Sequence, residues 1–324
     1  MKNFIFISII LLIALLNIYI ISVVTKKNHV DETLIEIKKN SNSLQIANLL
    51  FKNGVITNPK LFYYYVRVFG YDKKLQAGTY LIKGNLNIPQ IAKIILKGRV
   101  FLQKVTFPEG WTYKKIAGRL YQKGLINYEK FISLCTDSIF VKKITTYAKR
   151  NIEGFLYPDT YYFPKGATEK FIIKTMVDNF YKKTSDLNIS PDFKLDFYQT
   201  LIIASIVERE SGLQEEKPLI AGVYVNRFLK GYKLQADPTV AYVLEQKGKS
   251  RKKIFYKDLL VDSPYNTYLY KGLPPTPIAN PSLDTIKAVL NYEPTDYMFF
   301  FANNGRHIFS KTYKDHLIKQ NRVK

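Results

Sequence analysis

Two glutamates, Glu208 and Glu210, follow directly after an apolar run from Leu201 to Val207. A run of this kind is typical of a buried helix, and burial disfavours the charged form of a carboxyl group. A carboxyl at its end could therefore keep a proton for general-acid chemistry. Helical periodicity places the two glutamates on nearly opposite faces, so both cannot face one substrate from a regular helix. Periodicity leaves open which one does chemistry, and whether both are surface acids that pair with Arg209 or a lysine.

The stretches around and after this run could hold a carbohydrate. Ala204 and Ser205 lie in the same helical row as Glu208 and are small enough to leave room for a ligand. Sugar hydroxyls need many neutral hydrogen bonds, and sugar rings pack on aromatic faces. Amide, hydroxyl and aromatic side chains of this kind are Asn226, Gln235, Thr239, Tyr265, Asn266, Thr267 and Tyr268.

A single dominant acid has a chemical consequence for a glycan-cleaving enzyme. Cleavage of a glycosidic bond needs at least one protonated carboxyl, and a second carboxylate only when the enzyme supplies the nucleophile or activates water. One acid alone therefore indicates attack by a group of the substrate itself.

Other catalytic chemistries find no support in the pattern. Cys135 is the single cysteine of 324 residues and there are three histidines, so neither a disulfide framework nor a Cys/His metal site is expected. No Ser-His-Asp order and no glycine-rich phosphate loop is present. We therefore expect no metal and no cofactor.

Helices with clear start and stop signals must position these side chains. Pro218 lies in the first turn of one helix and Gly231 follows its end. Asp237 could cap the next helix, so its role stays open between capping and substrate binding. The prolines between residues 263 and 281 exclude regular structure and predict a rigid wall. Helices are predicted over 196–211, over 217–230, from Asp237 onward and from Asn280 to Leu290, followed by a hairpin around 303–306.

The first half of the chain carries an internal similarity. Residues 46–56 match residues 116–126 without a gap, and Thr79-Tyr80 falls opposite Thr160-Tyr161 further on. Two matches in the same order favour a duplicated unit of helix, loop, strand and helix, although the first match also suits ordinary helix patterning. The polar segment 182–194 has the composition of a linker, so we place a domain boundary near residue 190.

The composition points to an anionic partner and a membrane. Lys and Arg total 49 against 26 Asp and Glu, a net charge of +23, which favours nucleic acid, lipid headgroups or an acidic polymer. Residues 4–24 are an apolar stretch about as long as a bilayer core requires, and longer than the core of a signal peptide. We expect a retained membrane anchor with the rest of the chain exported. The charges that flank the stretch nearly balance and do not set its orientation.

Five ordered motifs resemble the endolytic murein transglycosylases of the MltG/YceG type. The likeness also covers the apolar N-terminus, a LysM-like region around residues 77–80 and 108–110, and residues 153–161. The motifs are Ala204–Ser211, Val225-Asn226-Arg227, Gln235–Val240, Tyr265–Tyr268, and Gly272–Pro275 with Pro277–Pro281. The chain departs from the usual pattern at Arg209 and Ser211 (usually Lys and Thr), Thr276 and Ser282 (commonly Gly) and Leu317 (commonly Asn). None of these departures is expected to touch the acid.

The resemblance implies a lyase that cleaves between MurNAc and GlcNAc inside nascent peptidoglycan strands and so terminates their elongation. Glu208 is then the acid/base that protonates the glycosidic oxygen. As a carboxylate it next helps the muramyl C6 hydroxyl attack C1, which leaves a 1,6-anhydro end. The substrate-binding residues carried over are Asn226, Gln235, Asp237, Thr239, Tyr265, Asn266, Thr267, Tyr268, Pro275 and Asn280.

The expected fold class is α+β, with one N-terminal transmembrane helix, LysM-like α/β modules with an internal repeat, and a mixed α+β catalytic domain. The expected domains are an anchor at 1–30 (helix about 4–24), a LysM-like module at 31–104, a second repeat-related module and linker at 105–190, and a catalytic domain at 191–324.

The expected location is the cytoplasmic (inner) membrane, crossed once, with the catalytic domain on the extracytoplasmic side. Expected partners are peptidoglycan glycan strands, the lipid bilayer through the N-terminal helix and, as further candidates, peptidoglycan synthases, but not nucleic acid. The alternative is a non-catalytic peptidoglycan-binding protein. A membrane-tethered nucleic-acid binder is a second alternative, which rests on charge and aromatic content alone.

Overall fold

The computed structural model describes Leu15 and residues 22–98, 102–210, 212–249 and 253–323. The expected membrane helix at about 4–24 lies for the most part outside these residues. Within the described part of the chain, no helix is both long and apolar enough to cross a membrane. The chain forms two compact units. The first runs up to Lys104 and includes Tyr162–Ala167, and the second comprises Val105–Tyr161 and Thr168–Lys324.

The first unit is a two-stranded antiparallel sheet with three helices. Asparagines cap all three helices, because a short side-chain oxygen can accept a hydrogen bond from the first helical turn. The core includes Ile35 and Tyr80 of the sheet and Ile46 and Phe62 of the helices, all buried. The elements are β1 (Asn28–Ile37), α1 (Ser43–Lys52), α2 (Pro59–Val68), β2 (Gly78–Leu86) and α3 (Ile88–Lys97), and β1 pairs with β2.

The same order of elements recurs from residue 102 onward, with one additional helix. Gly54 and Gly124 follow the first helix of each set with φ of +70° and +66°, a left-handed conformation that glycine adopts without strain. The residue after each glycine donates back to a helix carbonyl, at 2.9 Å and 3.1 Å. This local match supports the predicted repeat. The second set is β3 (Leu102–Thr106), α4 (Tyr113–Gln122), α5 (Tyr128–Thr136), α6 (Ser138–Ile144), β4 (Thr160–Pro164) and α7 (Glu169–Thr184), and β3 pairs with β4.

The rest of the second unit is helical except for one hairpin, which precedes the last helix. Residue 190, where the sequence suggested a domain boundary, lies inside this unit. Phe180 of α7 packs against Phe155, which precedes residue 190, and against Phe197, which follows it. The elements are α8 (Phe197–Glu210), a 3-10 turn (Gln214–Glu216), α9 (Lys217–Leu229), α10 (Asp237–Gln246), a 3-10 turn (Tyr256–Leu260), α11 (Leu283–Leu290), β5 (Phe299–Asn303), β6 (Arg306–Ser310) and α12 (Tyr313–Arg322). The α+β class is therefore confirmed, and α8 packs against α9, α10 and α11.

One predicted helix start and one candidate cap are corrected. Ser282 caps α11 through its side chain, whereas Asn280 was the predicted cap; Asn280 uses its amide for other contacts. Asp237 is the first residue of α10, but it is not the cap, and its carboxylate accepts a hydrogen bond from the Tyr268 hydroxyl at 2.6 Å. The predicted hairpin is confirmed, with Asn304 and Gly305 at positive φ.

Candidate active site

Helix α8 is buried along its length and ends at the candidate acid. Asp196 and Gln199 cap its start by exchanging hydrogen bonds of 2.7 Å and 3.0 Å. The expectation that Ala204 and Ser205 open space for a ligand is wrong. Both residues are fully buried, and the Ser205 hydroxyl accepts a hydrogen bond from the Ile278 backbone N–H at 2.9 Å. The proline-rich segment fills that space, so the open site lies at the end of the helix.

The Glu208 carboxyl is held at both oxygens. Lys217 Nζ donates to Oε1 at 2.8 Å, and both side chains are almost buried, with 2% of the lysine and 7% of the glutamate exposed. Ser282 donates to Oε2 twice, from its backbone N–H and from its hydroxyl, each at 2.7 Å. Three donors from the starts of α9 and α11 therefore orient one carboxyl at the end of α8.

These donors reverse the effect of burial on acidity. Burial raises the pKa of Glu208, but the Lys217 ammonium and the Ser282 and Thr285 groups outweigh it and hold the pKa below its ordinary value. The carboxyl is therefore ionised in the open cleft at neutral pH. The sequence left open whether the two glutamates are surface acids that pair with Arg209 or a lysine. The pair exists, but it is buried and belongs to a cleft.

A cleft of about 290 Å³ lies beside this carboxyl. Gly110 lies close to Glu208, since a Cβ added there would lie 3.6 Å from Cγ of Glu208. Both Glu208 and Glu210 border the cleft, although periodicity placed them on nearly opposite faces, because Glu210 is the last helical residue and the cleft follows the helix end. The lining residues are Glu109, Glu208, Arg209, Glu210, Gly212, Gln214, Lys217, Ser282 and Asp284.

Glu210 has the raised pKa that the sequence suggested for a buried acid. The Tyr224 hydroxyl donates to its Oε1. Burial raises the pKa of Glu210 to about 7, with a further upward contribution from the charge of Asp237, while Tyr224 and Arg227 act in the opposite direction. The pKa values of the two carboxyls at this helix end are thus shifted in opposite directions. The shift favours the anion at Glu208 and the neutral acid at Glu210.

A second, larger cavity of about 760 Å³ shares Glu210 with the cleft. It contains three of the predicted substrate-binding residues, Gln235, Asp237 and Tyr268, together with aromatic side chains such as Phe255 and Tyr256. Gln235 has a positive φ of 48°, an uncommon conformation that is found where the local structure holds a residue in place.

The other predicted binding residues lie in the interior or are engaged by the protein. Thr239, Asn266, Thr267 and Asn280 are buried, with at most 2% exposed. Thr239 and Thr267 bond to each other at 2.9 Å, and the Asn266 amide donates to Leu259 and Val261 carbonyls. The remaining contacts are Asn226 to the Thr295 and Tyr297 carbonyls and Tyr265 to the Thr276 hydroxyl, and Pro275 is half-buried. Substrate contact by these residues stays a prediction.

Asn280 shows what such a buried amide does. Its Nδ2 donates to the Trp111 carbonyl at 2.8 Å and to Glu153 at 3.0 Å, and its Oδ1 accepts from the Leu156 N–H at 2.8 Å. Its carbonyl also accepts from the Gly110 N–H at 2.9 Å. Asn280 therefore ties the loop at Gly110, which borders Glu208, to the interior.

Three functional candidates were missed by the sequence argument: Lys217, Ser282 and Thr285. Ser282 was noted as a departure from the family pattern that would not touch the acid, which is wrong, since it donates two hydrogen bonds to Glu208. The preference of serine for the cap position could have located Ser282 at a helix start. No local signal connects it to a carboxyl 74 positions earlier.

Comparisons with known proteins show what the chain is similar to. A model of the YceG-like family matches residues 35–322. The chain is 34% identical over 304 residues to an endolytic murein transglycosylase of Bacillus subtilis (strain 168), covering 87% of this chain and 82% of that protein. It is 29% identical over 315 residues to an endolytic murein transglycosylase of Streptococcus pneumoniae serotype 2 (strain D39 / NCTC 7466), covering 86% of this chain and 56% of that longer protein.

A solved structure is similar as well. The crystal structure of a yceG-like protein from Listeria monocytogenes superposes with a TM-score of 0.58 at 32% sequence identity, covering 91% of this chain and 99% of that chain.

Proposed function

The chain belongs to the YceG-like family, and on this basis we propose that it is an endolytic murein transglycosylase, a lyase that cuts between MurNAc and GlcNAc inside peptidoglycan strands. The observation that carries the proposal is the Glu208 carboxyl. It is nearly buried, fixed at both oxygens and placed at the wall of a cleft, as a group that must pass a proton to and from one substrate atom should be.

The reaction needs Glu208 protonated in its first step and ionised in its second. Glu208 gives its proton to the glycosidic oxygen as the bond between that oxygen and C1 of MurNAc breaks. The resulting carboxylate stabilises the positive charge at C1 and then takes the proton of the muramyl C6 hydroxyl, while O6 bonds to C1. The product has a 1,6-anhydro end, no water is consumed, and Glu208 is protonated again.

Binding of the glycan supplies the condition for the first step. A sugar in the cleft displaces water from the carboxyl, and loss of water raises the pKa of an acid. The carboxyl, ionised in the open cleft, therefore takes up a proton as the strand binds. Lys217 and Ser282 then favour the anion that forms when the proton leaves.

Product analysis tests the proposal. Purified full-length chain is incubated with intact glycan strands, and the new ends are identified by mass spectrometry. We expect 1,6-anhydro ends from the wild type and none from Glu208→Gln, which keeps the size of the side chain and removes its proton. Reducing ends would make the chain a hydrolase and contradict the lyase assignment, a necessary distinction because Glu109, Glu210 and Asp284 also border the cleft.

The larger cavity suits the continuation of the strand past the cleft, with Gln235, Asp237 and Tyr268 as contacts. A cut within a strand requires sugars on both sides of the scissile bond, and a cleft of about 290 Å³ is small for that task alone. Substitution of exposed Gln235 by Ala should raise KM for glycan more than it lowers kcat. An unchanged KM would remove this cavity from substrate binding.

The first unit and the N-terminus complete the proposal. The β1–α1–α2–β2 order supports a LysM-like module that binds glycan, which a pull-down of the Glu208→Gln chain with insoluble peptidoglycan would test. Residues 4–24 support a single anchor in the cytoplasmic membrane with the catalytic unit outside. Recovery of the chain in the soluble fraction would contradict this, and peptidoglycan synthases are partners suited to that location.

A further inference from the structure

Four side chains beside the cleft form a closed ring of hydrogen bonds. Lys217 Nζ joins Glu208 Oε1 at 2.8 Å and the Thr285 hydroxyl at 2.6 Å. The Thr285 and Ser282 hydroxyls are 2.9 Å apart, and the Ser282 hydroxyl returns to Glu208 Oε2 at 2.7 Å. Each member therefore contacts two others, and both oxygens of the carboxyl belong to the ring.

The ring joins the ends of three helices, and helix electrostatics explain only part of it. Glu208 accepts from the backbone N–H of Ser282, the cap of α11, where the helix dipole favours an anion. Lys217 is the first residue of α9, where the dipole disfavours a cation. The position is therefore unfavourable for a lysine in two ways: the helix dipole repels its charge, and burial to 2% exposure removes the water that would solvate it. Its contacts with Glu208 and Thr285 account for its presence.

We propose that Ser282, Thr285 and Lys217 are positioning residues of the reaction, which hold the Glu208 carboxyl in one orientation and set the pH range in which it works. This inference rests on the proposed function. Because a hydroxyl can donate or accept, Ser282 can donate to the carboxylate and turn towards Thr285 when Glu208 carries its proton. The ring then accommodates both states of the acid without movement of the backbone.

The sharpest test removes one hydroxyl. Ser282→Gly deletes the ring contact but keeps the backbone N–H that donates to Glu208, and glycine is nearly as good a helix cap as serine. A hydrogen bond to a charged group of this kind shifts a titration by about one pH unit. We expect the titration midpoint of Glu208 to rise by about that amount, and the high-pH loss of activity to move upward with it. Ser282→Thr keeps a hydroxyl and should restore the wild-type values.

The midpoint is read without substrate, from the side-chain carboxyl carbon of Glu208 in the full-length chain labelled with 13C-glutamate. The signal is assigned by its absence in Glu208→Gln. Thr312→Gly is the matched control, because Thr312 caps α12 and has no contact with the ring. Glu109, Arg209, Glu210 and Asp284 are the other charged groups around the cleft, and all variants leave them in place.

The outcomes separate the two proposals. An unchanged midpoint in Ser282→Gly, or an equal rise in Thr312→Gly, would overturn the ring and leave the proposed function standing. A wild-type chain that makes no anhydro ends would overturn the proposed function, and with it the assignment of these residues to a reaction.

Discussion

Glu153 is a fully buried carboxyl that does not line the cleft beside Glu208, and its burial leads to a prediction about stability. It is 0% exposed, and its Oε1 accepts from the Tyr113 N–H at 2.9 Å and from Asn280 at 3.0 Å. Burial, with the charge of Glu245 as a smaller contribution, raises its pKa from 4.5 to about 8. The folded chain therefore holds Glu153 neutral at pH 7, whereas the unfolded chain ionises it.

The sign and size of the effect follow from proton linkage. Between about pH 4.5 and pH 8 the folded state keeps a proton that the unfolded state has lost, so the free energy of unfolding falls as pH rises. Each pH unit removes about 1.4 kcal/mol. The loss is about 3 kcal/mol at pH 7 and about 5 kcal/mol above pH 8. Glu153→Gln has no proton to lose and keeps an oxygen for Tyr113 and Asn280, so the share of the decline that comes from Glu153 should disappear. The share from Glu210, whose pKa burial also raises, should remain.

The assay uses the single tryptophan as a local probe. Trp111 lies in the same network, since its carbonyl accepts from Asn280. Urea unfolding followed by Trp111 fluorescence at pH 5, 6, 7 and 8 gives the free energy of unfolding for the wild type and for Glu153→Gln. Exposed Glu215→Gln serves as control and should keep the wild-type slope, because that side chain stays in water. Parallel curves for the wild type and Glu153→Gln would refute the argument.

Two further substitutions test the pair of carboxyls at the end of α8. Glu210→Gln imitates the neutral acid that accepts from Tyr224, so it should keep substantial activity at pH 6 and decline less than the wild type towards pH 8; loss of all activity at pH 6 would show that Glu210 donates a proton. Lys217→Met leaves the Glu208 carboxylate buried without its cation and should cost about 3–5 kcal/mol at pH 7 by urea unfolding. Because Glu208 can then take up a proton, the cost should shrink at pH 4. It should also shrink in the double variant with Glu208→Gln, and an equal cost in both backgrounds would contradict the pairing.

Local signals in the sequence predicted the elements well. The start of α9 at Pro218, its end before Gly231 and the hairpin at Asn304-Gly305 each depend on one or two residues whose backbone preferences are strong. The helix start predicted at Asn280 was wrong. An asparagine before a proline can cap a helix, but it can also serve as a buried amide, and the sequence does not distinguish the two uses. The tertiary contacts to Trp111 and Glu153 decided between these uses.

The acidity of the two glutamates shows where sequence reasoning stops. An apolar run predicts burial, and burial alone predicts a raised pKa for both carboxyls. The structure separates their pKa values: a lysine and a serine outweigh the effect of burial at Glu208, whereas burial and the charge of Asp237 outweigh Tyr224 and Arg227 at Glu210. Neither partner set follows from the spacing of residues 208 and 210.

The sequence by itself determined the buried helix, its two terminal acids and, through ordered motifs, the family, and it predicted Glu208 as the catalytic acid. Only the tertiary structure decided which groups contact that acid: Lys217 from the start of α9, and Ser282 and Thr285 from the start of α11, the last of these 68 positions from the lysine that it joins. The physical reason is that helix caps and turns are set by neighbours along the chain. The charge of a buried carboxyl is set instead by whichever donors the folded chain brings within hydrogen-bonding distance.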